Sequence, residues 1–362
     1  YVRWAVGETI RRSMCERTIM KRKFLSIVLC LSMLLSLLTL ASCSDKNNPP
    51  DGSGTNPPAD KAASIAILYE NDVHCAVDGY SKLAAMKAEL KGGYDHVGVV
   101  SSGDFVQGGT LGAVSKGEYI INLMNKVGYD AIALGNHEFD YQLARLVELN
   151  NLSNTKFLSC NFAKVGEDKS YFDSYTIVSY GDVEIAYIGI TTPSTISSSN
   201  PAQFKNEDGE IIYTFNEAEM YSLVQANIDA AEKAGADYVI ALSHVGYDES
   251  DKLFDITDII ENTDGFDVVL DAHAHLVIEN KTIKDKSGDD VLLSSTGTKF
   301  EYIGKLVISD GEFNSELIKT ADYEKNDPVV DAYIEQIYAK PSLNSYFEKE
   351  YCGGALKIVW IP

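Results

Sequence analysis

The chain has 362 residues, of which 45% are hydrophobic and 23% are charged, as in an ordinary globular protein of about two domains. Its 53 Asp and Glu residues outnumber its 31 Lys and Arg residues, which gives a formal net charge of −22. This balance argues against a nucleic-acid polymer as partner, because no surplus of cations is present to displace phosphate counterions. It does not exclude small phosphorylated molecules, because bound metal ions can supply positive charge locally.

The N-terminal part has the pattern of a targeting segment. Residues 1–19 are interpreted as an upstream extension, and a basic run then precedes the apolar stretch Phe24–Leu40, which is shorter than the roughly 20 residues of a bilayer-spanning helix. The sequence Leu-Ala-Ser-Cys resembles a bacterial lipoprotein box, so residues 20–43 are predicted to be a lipoprotein signal peptide that is lipidated at Cys43. A plain signal peptide and an uncleaved anchor are the alternatives. The prediction places the protein outside the cytoplasm, lipid-anchored to a bacterial cell membrane at the surface or in the periplasm.

Residues 44–63 are rich in Pro, Asn, Asp, Gly and Ser, which predicts a disordered linker. About 20 such residues would hold a domain roughly 25 Å from the membrane. Outside the targeting segment the cysteines are scattered, at Cys75, Cys160 and Cys352. This scatter predicts no structural disulfide.

From Ser64 onwards, apolar runs alternate with polar turns and amphipathic stretches, which predicts an α/β domain whose strands are buried on both faces. The predicted strands are Ile65–Leu68, Val97–Val100, Ala131–Leu134, Val183–Ile190, Tyr238–Leu242 and Phe266–Leu270. The predicted helices are Ser81–Lys91, Tyr119–Val127, Tyr141–Asn151, Ala218–Ala234 and Val329–Ala339. Two closing antiparallel strands are predicted at Leu292–Ser295 and Gly304–Ile308.

Five of the apolar runs end, within a few residues, in an acid, an amide or an imidazole. Five of the six histidines lie at these ends, namely His74, His137, His244, His273 and His275. His96 is the exception and is predicted to lie in a solvated loop. Because ligands of open α/β sheets gather at the carboxyl ends of strands, these imidazoles are expected to converge on one edge with Asp72, Asp104 and Asn136.

The spacing of these residues indicates a metal site. The pairs at 72–74 (Asp-x-His) and 273–275 (His-x-His) each place two side chains on the same side of an extended segment, where they can chelate an ion. Either pair alone is also compatible with a strand face that is turned to solvent. Nitrogen and carboxylate ligands without cysteine suit Zn, Mn, Fe or Co. Seven such ligands are too many for one tetrahedral zinc ion and fit two divalent ions that share a carboxylate.

The stretch 135–140, Gly-Asn-His-Glu-Phe-Asp, follows a predicted buried strand. It is compatible with a metal-ligand amide, Asn136, beside an imidazole, His137, that is oriented by Asp140. The alternative is a polar turn that leads into the helix Tyr141–Asn151, with Asp140 as its N-cap. The glycines before Asn136 and before Asp104 permit a close approach of the backbone in either case.

Taken in order, Asp-x-His, Gly-Asp, Gly-Asn-His-Glu, a lone His and His-x-His resemble the calcineurin-like metallophosphoesterases. Three motifs resemble those of the 5′-nucleotidase branch of that superfamily. They are Asn-Asp-x-His at 71–74, the 135–140 motif and Thr192-Pro193. This branch includes periplasmic UDP-sugar hydrolases and 2′,3′-cyclic-nucleotide phosphodiesterase/3′-nucleotidases. The resemblance covers residues 64–340 and implies a four-layer α/β/β/α sandwich of two mixed sheets, here placed at 64–320.

The resemblance also implies roles for individual residues. One metal ion would be held by Asp72, His74, Asp104 and His275. A second would be held by Asp104, Asn136, His244 and His273, so that Asp104 bridges the two ions. His137 and Asp140 would form the catalytic pair beside them. Two departures are Cys75 and Asp271, each at a position where the branch commonly has Gly.

The family pattern stops near the end of the chain. Residues 321–340 resemble the interdomain helix of the branch, after which a substrate domain is expected. The tail at 341–362 is too short for such a domain, so the chain is expected to be a truncated or frameshifted product that lacks the substrate-binding residues.

The sequence thus predicts a metal-dependent phosphoric monoester hydrolase that acts on nucleotides through a water activated by two metal ions. Its partners are small phosphate esters and, through the lipid, the membrane. Hydrolysis of cyclic nucleotides or of UDP-sugars is the alternative within the family. An alternative of another class is a metal-binding surface lipoprotein without catalysis.

Overall fold

The computed structural model describes residues 64–247, 255–340 and Leu343. The predicted signal peptide with Cys43 and the linker lie outside the described residues, as does the tail beyond residue 340 apart from Leu343. Among the described residues, no helix combines the length and the apolar character needed to cross a membrane. Cys75 and Cys160 are buried free thiols.

The first sheet has the strand order β14-β13-β1-β2-β3-β4. Its strands are β1 (Ile65–Glu70), β2 (His96–Ser101), β3 (Ala131–Ala133), β4 (Phe157–Leu158), β13 (Tyr302–Ser309) and β14 (Glu312–Lys319). Strands β1 to β4 are parallel, and β13 adds to β1 in the antiparallel direction. The carboxyl ends of the four parallel strands therefore share one edge.

The second sheet has the order β11-β12-β10-β9-β7-β6. Its strands are β6 (Tyr175–Tyr180), β7 (Val183–Thr191), β9 (Tyr238–His244), β10 (Val268–Leu270), β11 (Val277–Lys284) and β12 (Asp290–Thr296). Strands β7, β9, β10 and β12 are parallel, with antiparallel strands at both edges. A separate pair joins β5 (Ala163–Lys164) to β8 (Tyr213–Thr214).

Helices cover the outer faces of both sheets. They are α1 (Asp78–Leu90), α2 (Gly109–Ser115), α3 (Glu118–Val127), α4 (Leu143–Leu152), α5 (Thr195–Ser198), α6 (Met220–Ala234), α7 (Ile256–Asn262) and α8 (Pro328–Tyr338). Short 3₁₀ helices occupy His137–Phe139, Pro201–Phe204, Glu217–Glu219 and Thr320–Asp322. Helix α8 packs against α1 and α3 on the outer side of the first sheet.

Strand β1 shows how the layers form, because all six of its residues are buried. Ile65, Ile67 and Tyr69 pack into a core between the two sheets, together with residues such as Tyr187 of β7. Leu68 points to the other face, as the two-residue period of a strand requires, and packs among the helices. A third core lies between the second sheet and helices α6 and α7. Three cores between four layers confirm the predicted α/β/β/α sandwich.

Several predicted elements need correction. His96 is the first residue of β2, not part of a loop, because its backbone pairs with Ile65. The segment Leu292–Ser295 is antiparallel to β11 but parallel to β10, so its predicted direction is only half right. Helix α1 begins earlier than predicted because Gly79 packs beneath the ring of Phe300, where tertiary contact outweighs the poor helix propensity of glycine.

Candidate metal centre

The predicted site residues follow strands of both sheets at the edge where the parallel strands end. The first sheet supplies Asp72, His74, Asp104, Asn136, His137 and Asp140, and the second supplies His244, His273 and His275. A contact between rings joins the two groups, since the His74 ring lies 5.0 Å from the His275 ring. Within the first group, the His74 ring also lies 5.3 Å from the His137 ring. The expected convergence of these residues is therefore present.

The reason for this convergence differs from the one predicted. The pairs at 72–74 and 273–275 are not extended, because Asp72, His74, His273 and His275 have φ values of 51°, 43°, 75° and 55°. Asp104 is also left-handed, at φ 61°. Backbone of this kind is rare for residues other than glycine and is concentrated at functional sites. Tight left-handed turns, not strand alternation, thus direct these side chains inward.

The two predicted glycines permit the loops to touch. A Cβ atom at Gly103 would overlap the backbone nitrogen of Gly135, and one at Gly135 would overlap the Asp104 carboxylate. The loop after β2 and the loop after β3 therefore pack backbone to backbone. The predicted close approach is confirmed.

Ligand atoms are spaced as in a shared coordination shell. His74 Nε2 lies 3.1 Å from His275 Nε2, and His275 Nε2 lies 3.4 Å from Asp72 Oδ1. His244 Nε2 lies 3.1 Å from Asp104 Oδ2. Donors about 2.0–2.1 Å from a tetrahedral ion lie about 3.3 Å from each other, so these separations fit common ions.

Hydrogen bonds to carbonyl oxygens fix the tautomers of two imidazoles. His244 Nδ1 lies 2.7 Å from the Ser102 carbonyl oxygen, and His74 Nδ1 lies 3.2 Å from that of Gln107. A carbonyl only accepts, so each Nδ1 carries a proton, and in the neutral imidazole each Nε2 then has a free lone pair. A hydrogen bond from the other ring nitrogen to a carbonyl oxygen is typical of metal-binding histidines.

Two buried polar atoms in the cluster have no hydrogen-bond partner: Asp72 Oδ1 and His244 Nε2. They lie 3.8 Å apart and face the same space. The other oxygen of Asp72 is fully used, since Oδ2 accepts from the Asn71 amide at 2.7 Å and from the backbone N–H of His273 at 2.9 Å. Buried polar atoms without partners are costly, so the arrangement fits a bound cation that would satisfy both.

The negative charge of the buried carboxylates favours a positively charged group in the site. Burial would lower the pKa of His244, but Asp104 and Asp72 raise it to about 10. Burial opposes ionisation of Asp104, yet His244 and the neighbouring imidazoles hold its pKa below its usual value. Burial lowers the pKa of His273 to about 4, which favours the neutral form that binds metals.

Three further acids at the same edge were not assigned roles from the sequence. Glu70, Glu138 and Asp271 are all at most 2% exposed, and burial raises their pKa values to about 8, 7 and 7. Among the described residues, neither they nor Asp72 and Asp104 form an ion pair with Lys or Arg. Their position directly before or within the polar motifs was the signal that could have revealed them.

His137 and Asp140 form a pair at the exposed side of the cluster. His137 Nδ1 lies 2.7 Å from Asp140 Oδ2, and the two side chains are 31% and 23% exposed. The hydrogen bond to Asp140, the largest cause, raises the pKa of His137. Asp140 is not the N-cap of the following helix, because α4 begins at Leu143 after Gln142. The alternative prediction for this residue is therefore wrong.

Two groups of residues have the proximity that a metal ion requires: Asp72 with His74 and His275, and Asp72 with Asp104 and His244. His273 Nδ1 and Asn136 Oδ1 lie 3.0 Å from each other beside the second group. Buried carboxylates, free imidazole nitrogens and unpartnered atoms make this donor set suitable for divalent transition metals.

The sequence profile of the calcineurin-like phosphoesterase family matches residues 65–277. The chain therefore belongs to this family, whose members depend on metal ions. A snake venom 5′-nucleotidase of Gloydius brevicauda is 31% identical over 235 residues, which are 58% of this chain and 37% of that protein. The 5′-nucleotidase of Bos taurus is 30% identical over 240 residues, which are 60% of this chain and 39% of that protein.

A crystal structure of a 5′-nucleotidase precursor from Thermus thermophilus has the same fold, with a TM-score of 0.64 and 20% identity. The match covers 76% of this chain and 58% of that one. The present chain thus spans well under half of the length of the curated relatives that it matches. What it shares with them is the phosphoesterase domain, which in this chain contains the candidate metal centre.

Proposed function

We propose that the protein is a metal-dependent phosphoesterase that hydrolyses phosphate monoesters of nucleotides, in the manner of a 5′-nucleotidase. The observation that carries the proposal is the His137–Asp140 pair, which lies at the open side of the acid and imidazole cluster. A protein that only captures metal ions has no need of an oriented, partly exposed imidazole whose ring nitrogen is held by a carboxylate. The named relatives at about 30% identity support nucleotides as substrates.

Two divalent ions, from among Zn, Mn, Co and Fe, are assigned to the site. The first set of ligands is Asp72, His74, Asp104 and His275. The second set is Asp104, Asn136, His244 and His273. The short spacings within each set and the unpartnered Asp72 and His244 atoms support this division. The number of buried acids favours two ions over one, since one divalent ion would leave much of their charge uncompensated.

When bound, the ions supply Lewis-acid activation of a water molecule and neutralise charge on the phosphate. The protein's own contribution begins with Asp140, which holds the Nδ1 proton of His137 and so turns Nε2 toward the substrate. His137 Nε2 then donates a proton to the leaving oxygen, because the Asp140 bond favours the protonated imidazole. The backbone N–H of His137 donates to Asp104 Oδ1 at 2.8 Å, which ties the acid catalyst to the predicted bridging ligand.

The proposed location rests on the N-terminal sequence. We propose that Cys43 is lipidated and that residues 44–63 tether the domain to the outer face of a bacterial cell membrane. Labelled fatty acid should then enter the protein, and Cys43→Ser should abolish the labelling. Retention of label in that variant would overturn the lipoprotein assignment.

The test of function uses the protein stripped of metal and titrated with Mn²⁺, Zn²⁺ or Co²⁺. We expect metal-dependent release of phosphate from AMP and from an aryl phosphate, with His137→Ala inactive. Release from 2′,3′-cyclic AMP or from UDP-glucose in preference to AMP would favour the cyclic phosphodiesterase or UDP-sugar hydrolase alternative. Stoichiometric metal binding without hydrolysis of any of these esters would overturn the proposal in favour of a metal-binding lipoprotein.

A further inference from the structure

Glu138 lies beneath the predicted ligands and is 1% exposed. Its carboxylate accepts four backbone N–H groups. Oε2 accepts from Asp104 at 2.8 Å and from Gly135 at 2.7 Å. Oε1 accepts from Phe105 at 2.8 Å and from Val106 at 3.2 Å. One side chain thus uses both of its oxygens on two different loops.

These two loops carry different predicted ligands. The loop after β2 carries Asp104, and the loop after β3 carries Asn136 together with His137, the proposed acid catalyst. Above Glu138, the same loops are joined by the bond from the His137 N–H to Asp104 Oδ1. The hydrogen bonds of Glu138 and this second bond therefore both join the two loops.

Asp104 needs such support because its backbone is left-handed, at φ 61°. A conformation of this kind is unfavourable for a residue other than glycine and persists only where the surroundings impose it. In this conformation Asp104 Oδ2 faces His244 Nε2 at 3.1 Å and His74 Nε2 at 3.9 Å. The position of the carboxylate that would serve both ions therefore depends on how the Asp104 backbone is held.

We propose that Glu138 is a positioning residue that sets the affinity for both metal ions by fixing the backbone of Asp104 and of the Asn136 loop. The proposal rests on the proposed dinuclear site. Glu138 would not itself be a ligand, since both of its oxygens accept hydrogen bonds from backbone N–H groups.

Two substitutions separate position from charge. Glu138→Gln keeps the size of the side chain but replaces one oxygen by an NH₂ group, which cannot accept from two N–H donors. Glu138→Asp keeps the charge and both oxygens but is one methylene shorter, so it cannot reach both loops. Glu261→Gln, at an exposed position on α7, is the control for the loss of one negative charge.

The experiment measures Mn²⁺ affinity and stoichiometry by calorimetry on metal-free protein, together with the unfolding temperature of each metal-free variant. We expect Glu138→Asp and Glu138→Gln each to weaken both metal-binding steps by about 10–100-fold, as the loss of groups that orient metal ligands through hydrogen bonds does in other proteins. The Glu261→Gln control should bind as the unaltered protein does.

Native affinity in Glu138→Asp would show that charge alone is needed and would overturn the positioning role. So would a lower unfolding temperature with unchanged affinity in both Glu138 variants, which is the result of a purely structural role. If the unaltered protein bound no Mn²⁺, Zn²⁺ or Co²⁺, the dinuclear site itself would be wrong. If the unaltered protein binds metal and both Glu138 variants bind it equally well, the proposed dinuclear site stands and only the positioning role of Glu138 is wrong.

Discussion

The two sheets contribute different chemistry to the candidate centre. The first sheet supplies every oxygen ligand in the predicted set, namely Asp72, Asp104 and Asn136, with His74 as its one nitrogen ligand. The second sheet supplies imidazoles alone, at His244, His273 and His275. In the proposed dinuclear site, each ion would therefore take ligands from both sheets. The acids of the first sheet would attract the cations, and the imidazoles of the second sheet would complete their coordination shells.

The two sides are also supported differently. On the first side, Glu138 binds backbone N–H groups of two ligand loops. On the second, Asp271 lies 3.4 Å and 3.3 Å from the backbone nitrogens of Val245 and Gly246, which are longer hydrogen bonds. We therefore expect changes on the acidic side to have larger effects than changes on the imidazole side.

The largest expected effect is that of Asp104→Asn. An amide neutralises neither ion, so the variant should lose occupancy of both metal sites together and with it the hydrolytic activity. His273→Ala, on the second sheet, should lose only one ion. Elemental analysis after dialysis measures both stoichiometries, and loss of a single equivalent from Asp104→Asn would contradict the bridging role.

His137→Ala should separate chemistry from metal binding. Because the imidazole is proposed to act on the substrate and not as a ligand, the metal content should be unchanged while kcat falls by about 10²–10⁴-fold, the usual contribution of a general acid. Phosphate release and metal analysis on the same preparation provide the test. A missing equivalent of metal would place His137 among the ligands.

Metal binding should hold the two sheets together at this edge. At free metal concentrations 100 times Kd, each ion should stabilise the fold by about 2.7 kcal/mol. In the metal-free protein, hydrogen exchange should quicken at Ala272–Ala274 and Ser102–Asp104, while the buried inter-sheet strands stay protected. Uniform loss of protection would show instead that the whole fold depends on the ions.

Asp140→Asn should alter the pH dependence. In the native protein, the bond to Asp140 raises the pKa of His137, so the protonated, proton-donating form persists to higher pH. Without that bond the pKa should fall, and kcat/KM should begin to decline at a lower pH than in the native protein. If kcat/KM declined at the same alkaline pH in the native protein and in Asp140→Asn, the result would argue against proton donation by His137.

The smallest expected effect concerns Gln142, whose backbone has φ 76° and ψ 152°, a region that only glycine normally occupies. Gln142→Gly should raise the free energy of unfolding by about 1 kcal/mol, because relief of strain outweighs the entropy of glycine. Gln142→Ala, which keeps the strain, is the control and should not stabilise. Thermal unfolding of both variants checks this.

Much of the first sheet could be predicted because its central strands are continuous apolar runs that end in polar motifs. Strand β11 could not, because most of its residues are exposed and polar, as befits an edge strand. The roles of Glu138 and Asp271 could not be predicted from the sequence either. Both act on the backbone of loops distant in sequence, and no periodicity reports such contacts. The left-handed turns at Asp72 and His273 were missed for the same reason, since their conformation is imposed by tertiary packing and not by local propensity.

The place of β13 in the first sheet has a consequence for biosynthesis. Strand β1 is made early, yet its antiparallel neighbour β13 begins only at Tyr302. At 5–20 residues per second, roughly 10–50 s of translation pass between the emergence of the two strands. During that interval one edge of β1, an apolar strand, has no partner, and such edges invite pairing with other chains. The nascent chain thus depends on a partner strand that is synthesised late. We therefore expect chaperones to bind the chain during this interval.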